Sequence, residues 1–305
     1  MSPAARWIDL LDPSRQEVLA EAPLRLHPRA IDRLVAEGHA DQDPRPTVEP
    51  HGDYVFGVLL APVAVPEQDR VFYQEIDLVL TPEVTMTVRK TPPGEQPFDL
   101  SALEQACDAH GSPTSGVIAY YLVDEIAERY LGVIDLLDTE IDELEDGIED
   151  WPGEQVRKRL SELRRDVLQI RRTLTPTRDA VRRIVDGRVD VGEDKVFDRA
   201  LELEFAEASD RFLRATESLD VSRDLIASAR DYHQSKISQE QNEVVKRLAV
   251  IASLLLLPTF IVGVYGQNFD DMPELRWQLG YGFSWALIVV TTLGQLAFFR
   301  WKKWI

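Results

Sequence analysis

The chain has 305 residues, of which 53 are Asp or Glu and 34 are Lys or Arg, giving a formal net charge of −19. This acidic balance argues against nucleic acid as a partner, since phosphate neutralisation needs Lys and Arg, and it suits a protein that handles cations. One cysteine, Cys107, excludes an internal disulfide framework, and the five histidines (His27, His39, His51, His110, His233) have no zinc-site spacing.

Residues 1–115 are predicted to form a mixed α/β domain. No signal peptide is expected, because Met1 to Glu17 carries Arg6, Asp9, Asp12 and Arg15 in place of an apolar core. Trp7 to Leu10 reads as a first strand. Asp12-Pro13-Ser14 reads as a helix start capped by Ser14 or Asp12, and His27 to Glu37 as a second short helix. Asp53 to Leu60, Val71 to Leu80 and Val84 to Arg89 are rich in β-branched and aromatic residues and are predicted as strands. Prolines 62, 66, 82, 92, 93 and 97 read as turn punctuation. Glu75, Asp77 and Asp9 are expected to be surface groups. No phosphate-binding glycine loop follows a strand and no nucleophile elbow occurs, so no enzyme is expected.

Residues 116–192 are predicted as an antiparallel helical hairpin. Apolar residues at 123, 126, 130, 133/134, 137, 141, 144 and 148 have helical spacing. Nine of the 16 residues from Asp135 to Asp150 are acidic; they make either a solvated face or a field that concentrates cations. Trp151-Pro152-Gly153 marks a sharp turn, and Glu154 to Val185 returns as a basic helix. From Glu193 to Leu257, 65 residues pass without Gly or Pro, so a stalk helix over 193–247 should feed directly into the apolar run that follows.

That run, Leu248 to Gly266, is uncharged for 19 residues, long enough as a helix to span roughly 28 Å and hence a bilayer core. A second run, Tyr281 to Phe299, is equally long, and residues 267–280 form the link between them. Lys246, Arg247, Arg300, Lys302 and Lys303 flank the outer ends, while Asp270, Asp271 and Glu274 lie in the link. The positive-inside rule therefore places both termini in the cytoplasm. Along the first run a heptad stripe passes through Asn242, Ala249, Leu256 and Gly263, and a second through Val245, Ala252, Thr259 and Gly266. Its small and polar residues mean either close helix packing or the wall of a conduit. Asn242, Thr259 and Asn268 near one line favour a conduit, and two helices per chain enclose one only in a ring of subunits.

Tyr265-Gly266-Gln267-Asn268-Phe269, followed by Met272-Pro273-Glu274-Leu275 between two apolar runs, resembles the CorA family of divalent-cation transporters. That family's signature is Tyr-Gly-Met-Asn-Phe. The resemblance extends through Trp7-Ile8-Asp9-Leu10, His27-Pro28, Gly52-Asp53-Tyr54, Asn242-Glu243-Val244 and Lys302-Lys303-Trp304. It implies an α+β cytoplasmic funnel, a very long stalk helix continuing into the first of two transmembrane helices, and a homopentamer in the inner membrane of the cell. It further implies that Asn268 and the Gly266 backbone form an outer ring that holds Mg²⁺ with its water shell kept. Thr259 and Asn242 would be deeper polar rings, and Leu256, Leu248 and Val245 hydrophobic constrictions. Glu207, with Asp210 one turn along, is the implied stalk half of a regulatory Mg²⁺ site. The departure is Gln267, where the family has Met. Transport of Mg²⁺, with Co²⁺ or Ni²⁺ also accepted, is the leading expectation, and no organic cofactor is expected. Zn²⁺ transport or a non-transporting membrane sensor or scaffold are the alternatives.

Overall fold

In a computed structural model, the described residues are 4–37, 44–65, 70–189, 196–267 and 272–304. The chain forms two compact units, Met1–Arg230 and Asp231–Ile305.

The first unit is built on a five-stranded mixed sheet in the order β1-β5-β4-β3-β2. Its strands are β1 (Arg6–Leu11), β2 (Thr47–Pro50), β3 (Val55–Val65), β4 (Arg70–Leu80) and β5 (Val84–Arg89). β1 runs parallel to β5, and the other pairs are antiparallel. Both faces are covered, so few polar positions of the central strands reach water. On one face Ile8, Phe56, Val58, Val79, Met86 and Val88 pack with Val18 of α1 (Arg15–Glu21) and Ile31 and Leu34 of α2 (Pro28–Leu34). On the other, Leu59, Ile76, Leu78 and Leu80 join the core built by α3 (Ser101–His110), α4 (Ser115–Gly147) and α5 (Gly153–Val185).

Local chemistry explains the boundaries. Ser14 caps α1 in a reciprocal box: the Glu17 N–H donates to Ser14 Oγ at 3.3 Å and the Ser14 N–H donates to Glu17 Oε2 at 2.7 Å. The hydrogen bond from the Ser14 backbone, then that from its side chain, holds the Glu17 carboxyl below its ordinary pKa. His27 caps α2, and Thr114 caps α4. Every apolar position marked from 123 to 148 is buried, and α4 turns into α5 at Trp151-Pro152.

Three expectations for this unit are corrected. Pro62 does not mark a turn; it lies inside β3, opposite Tyr73. β2 covers only Val55 to Val58 of β3, so at Pro62 the strand has one neighbour and no second ladder needs its missing N–H. Glu75 and Asp77 are not surface groups but are buried with Lys90; Asp9 does lie at the surface, ion-paired with Arg89 at 2.6 Å. The long helix α6 runs unbroken as Arg199–Tyr265, with Pro258 inside it. It therefore begins later than the expected start at Glu193, a residue outside those described, and it continues through the apolar run to Tyr265.

The second unit contains the C-terminal part of α6, a 3₁₀ turn at Pro273–Arg276 and α7 (Gly280–Trp301). α6 and α7 are each long and apolar enough, over one stretch, to cross a membrane.

Candidate ion pathway

From Asp231 onward α6 has two faces. One carries Val250, Ser253, Leu254, Leu257, Ile261 and Val264 at helical spacing, all buried or half-buried. α7 has a matching covered stripe at Ser284, Leu287, Ile288, Thr291, Gln295 and Phe299. A polar clamp joins the two helices: Gln295 Nε2 donates to Ser253 Oγ at 2.9 Å and to the Ser253 carbonyl at 3.2 Å. In an apolar setting such a bond fixes how the two helices are registered.

The other face is uncovered. Asn242, Val245, Leu248, Ala249, Ala252, Leu256, Thr259, Gly263, Gly266 and Gln267 are all exposed. Val245 is 62 % exposed, Leu248 65 % and Leu256 71 %, so these side chains lack cover from their own chain. The structure brings these residues to one side of α6, away from α7.

Two details define its chemistry. Thr259 Oγ1 donates to the Leu255 carbonyl at 2.7 Å. The hydroxyl proton is thus used within the helix, and the oxygen turned outward is an acceptor, the type a cation or its hydration water requires. At Gly263 an added Cβ would meet nothing within 4 Å, so no contact within the chain demands glycine there. At Gly266 the added atom would lie 3.3 Å from the Val262 carbonyl. Asn268, the centre of the expected outer ring, lies outside the described residues.

Glu207 and Asp210 are exposed on the α6 segment of the first unit. Nearby, Arg211 is committed to α4: it pairs with Asp124 and lies 3.4 Å from Glu128. Among the described residues no group of three His, Cys, Asp or Glu side chains is placed to hold a metal ion. Within the described part of this chain, Glu207 and Asp210 therefore do not belong to such a group.

A second ionic feature was not anticipated. Lys90 Nζ donates to Glu75 Oε1 at 2.6 Å and to the Arg33 carbonyl at 2.9 Å, and stands 2.8 Å from Asp77 Oδ2. Arg33 reaches Glu75 from α2 at 2.6 Å. Neither Asp77 oxygen receives a well-directed hydrogen bond. Burial pushes the Asp77 carboxyl up to about 7, against the opposing attraction of Lys90. The cluster ties α2 to the sheet. Burial likewise raises the Cys107 thiol to about 11, which leaves it unreactive.

Comparison with known proteins converges on one family. The profile of the family described as CorA-like Mg²⁺ transporter protein matches residues 3–303. The cobalt/magnesium transport protein CorA of Thermotoga maritima is 27 % identical over 304 residues, covering 98 % of this chain and 83 % of its own. Among solved structures, the CorA magnesium transporter of Methanocaldococcus jannaschii superposes with a TM-score of 0.77 at 19 % identity, covering 98 % of this chain and 91 % of that one. The ZntB cytoplasmic domain of Vibrio parahaemolyticus gives 0.58 at 15 % identity, covering 76 % of this chain and 88 % of that one.

Proposed function

The chain belongs to the CorA-like Mg²⁺ transporter family, a membrane transporter and not an enzyme, and we propose that it carries hydrated Mg²⁺ through a pore built by five copies of α6. The observation that carries this reading is the uncovered face of α6. It is continuous from Asn242 to Gln267, lies opposite the face that packs on α7, and is lined by small residues, acceptor oxygens and bare leucines. A face of that composition suits a ring of copies around water better than contact with lipid. Leu and Val fit lipid, but the outward oxygen of Thr259 and the Gln267 amide would find no hydrogen-bond donor there.

In this reading Asn268 and the Gly266 carbonyl hold the ion through its retained water at the outer mouth, with Gln267 adding an amide beside them. Thr259 and Asn242 offer acceptor oxygens farther in. Leu256, Leu248 and Val245 narrow the path between those rings and hinder passage when the ring is tight. The pair of helices spans the inner membrane with both termini in the cytoplasm, as the basic outer ends and acidic link favour. Glu207 and Asp210 sense cytoplasmic Mg²⁺: ions bridging them to a neighbouring subunit stabilise the closed ring, and loss of those ions releases it. Since α6 is one helix from Arg199 to Tyr265, the sensing carboxylates and the pore face lie on the same element.

Uptake into proteoliposomes tests the assignment. Asn268→Ala should abolish selective Mg²⁺ uptake while leaving the assembled oligomer intact by size-exclusion chromatography. Uptake at the wild-type rate would remove Asn268 from the outer ring. Gln267 gives the zinc reading its one foothold, and the same assay with Zn²⁺ in place of Mg²⁺ decides between the two.

A further inference from the structure

At the end of the helix pair where the chain terminates, α6 and the residues that follow α7 line an open cleft of about 620 Å³, within the size range of small-ligand sites. Its floor is apolar, formed by Val250, Ile251 and Leu254. Its rim is basic, formed by Lys246, Arg247 and Lys303, with Trp304 at one side. Glu243 is the single acid in the lining, so the rim carries three positive charges against one negative.

Among the described residues, none of the three basic side chains has an ion-pair or hydrogen-bond partner. In a chain with 53 acidic and 34 basic residues, three neighbouring cations that pair with no carboxylate, not even the nearby Glu243, stand out. Trp304 is held in place by stacking on Phe299, with ring centroids 5.9 Å apart and planes inclined by 16°. Next to it, Lys302 Nζ lies 4.9 Å over the Trp301 ring.

The position of the cleft along the helices identifies its ligand. Arg247 immediately precedes the apolar run of α6, and Phe299 ends that of α7. The cleft therefore straddles the boundary between hydrocarbon and water, with Leu254 about 10 Å deeper than Arg247. A ligand that fits must be anionic at the rim and apolar along the floor. We propose that this cleft binds the phosphate headgroup of an anionic phospholipid in the leaflet on the side of the chain termini. Lys246, Arg247 and Lys303 hold the phosphate, Trp304 anchors at the headgroup level, and an acyl chain lies over Val250, Ile251 and Leu254. The inference concerns the outer flank of the helix pair, away from the pore face. It requires only that the pair span a bilayer.

The test uses the full-length protein in nanodiscs of equal phosphatidylglycerol and phosphatidylcholine, with native mass spectrometry to count the lipids retained on release. The expected result is preferential retention of phosphatidylglycerol by about tenfold or more, given the attraction of each basic residue for an anionic headgroup. Lys246→Gln/Arg247→Gln/Lys303→Gln should remove that preference. Arg300→Gln/Lys302→Gln, which alters comparable charge outside the cleft lining, should keep it. If the triple variant does not fold, Trp304→Ala and Arg247→Gln serve in its place, each lowering the preference. Equal retention of both lipids by the wild-type protein would overturn the proposal. So would an undiminished preference in the cleft variants, an equal loss in the Arg300/Lys302 variant, or displacement of the lipid by excess inorganic phosphate.

Discussion

Thr259 shows how much one side chain decides. Its proton is tied to the Leu255 carbonyl, so the oxygen it turns outward is an acceptor. Thr259→Val keeps the shape and removes that oxygen. It should lower Mg²⁺ uptake by up to about tenfold, the worth of one hydrogen bond, without changing the melting temperature of the detergent-solubilised protein. Unaltered uptake would mean that this oxygen does not face the ion.

Asp77 makes a pH-dependent contribution of definite sign. Its folded-state pKa, about 7, lies above its ordinary value of 3.8. Below about pH 4 it is protonated whether the chain is folded or not, and it has no effect. As pH rises from about 4 to 7 the unfolded chain releases this proton and the folded chain retains it, so stability falls through that window. Asp77→Asn should flatten this slope, measured as denaturation midpoints at a series of pH values. Its partner matters more: Lys90→Met leaves Asp77 without its buried cation and Glu75 with Arg33 alone, and should cost about 3–5 kcal/mol in chemical unfolding. The sequence did not reveal this cluster. In Glu75-Ile76-Asp77-Leu78 the polar and apolar residues alternate, the pattern of a strand with one wet face. The short helices α1 and α2, seven residues each, give too weak a signal to show that the wet face is covered.

At the level of elements, the long periodic segments and the capped short helices α1 and α2 were legible, whereas β2 and α3 were not. α4 to α6 announced themselves through repeated apolar spacing and the turn at Trp151-Pro152. β2 is four residues with only Val48 buried, and α3 buries only Leu103 and Cys107. Neither repeats long enough to show a period. The turn between α4 and α5 has one tight constraint. A Cβ on Gly147 would lie 2.3 Å from the Trp151 ring, inside the limit of any contact. Gly147→Ala should therefore displace Trp151 and destabilise the hairpin by about 1–3 kcal/mol, seen as faster amide exchange at the α4–α5 turn. Wild-type exchange rates there would show that the ring relocates freely.

For the whole molecule, family and fold could be read from the sequence because the Tyr-Gly-x-Asn-Phe and Met-Pro-Glu-Leu motifs lie between two apolar runs. The exposed stripe of α6 could be read because its heptad places small and polar residues where a packed seam would have leucine. A partner for Glu207 and Asp210 could not, since in the proposed ring of copies it would come from another chain, and no spacing within one chain encodes it. Glu207→Ala with Asp210→Ala should weaken inhibition of uptake by Mg²⁺ on the cytoplasmic side by about fivefold or more, on the scale of ordinary coupling between sites. Inhibition at the wild-type concentration would take both residues out of the sensor.

The central claim is that an outer ring with Gln in place of the family's Met still passes Mg²⁺. The direct measurement is divalent uptake into proteoliposomes, comparing Mg²⁺, Co²⁺ and Zn²⁺ for the wild-type protein and Gln267→Met. The account predicts Mg²⁺ uptake by both proteins, blocked by Mg²⁺ on the cytoplasmic side. Zn²⁺ uptake without Mg²⁺ by the wild-type protein, or no flux of any ion from either, would contradict it.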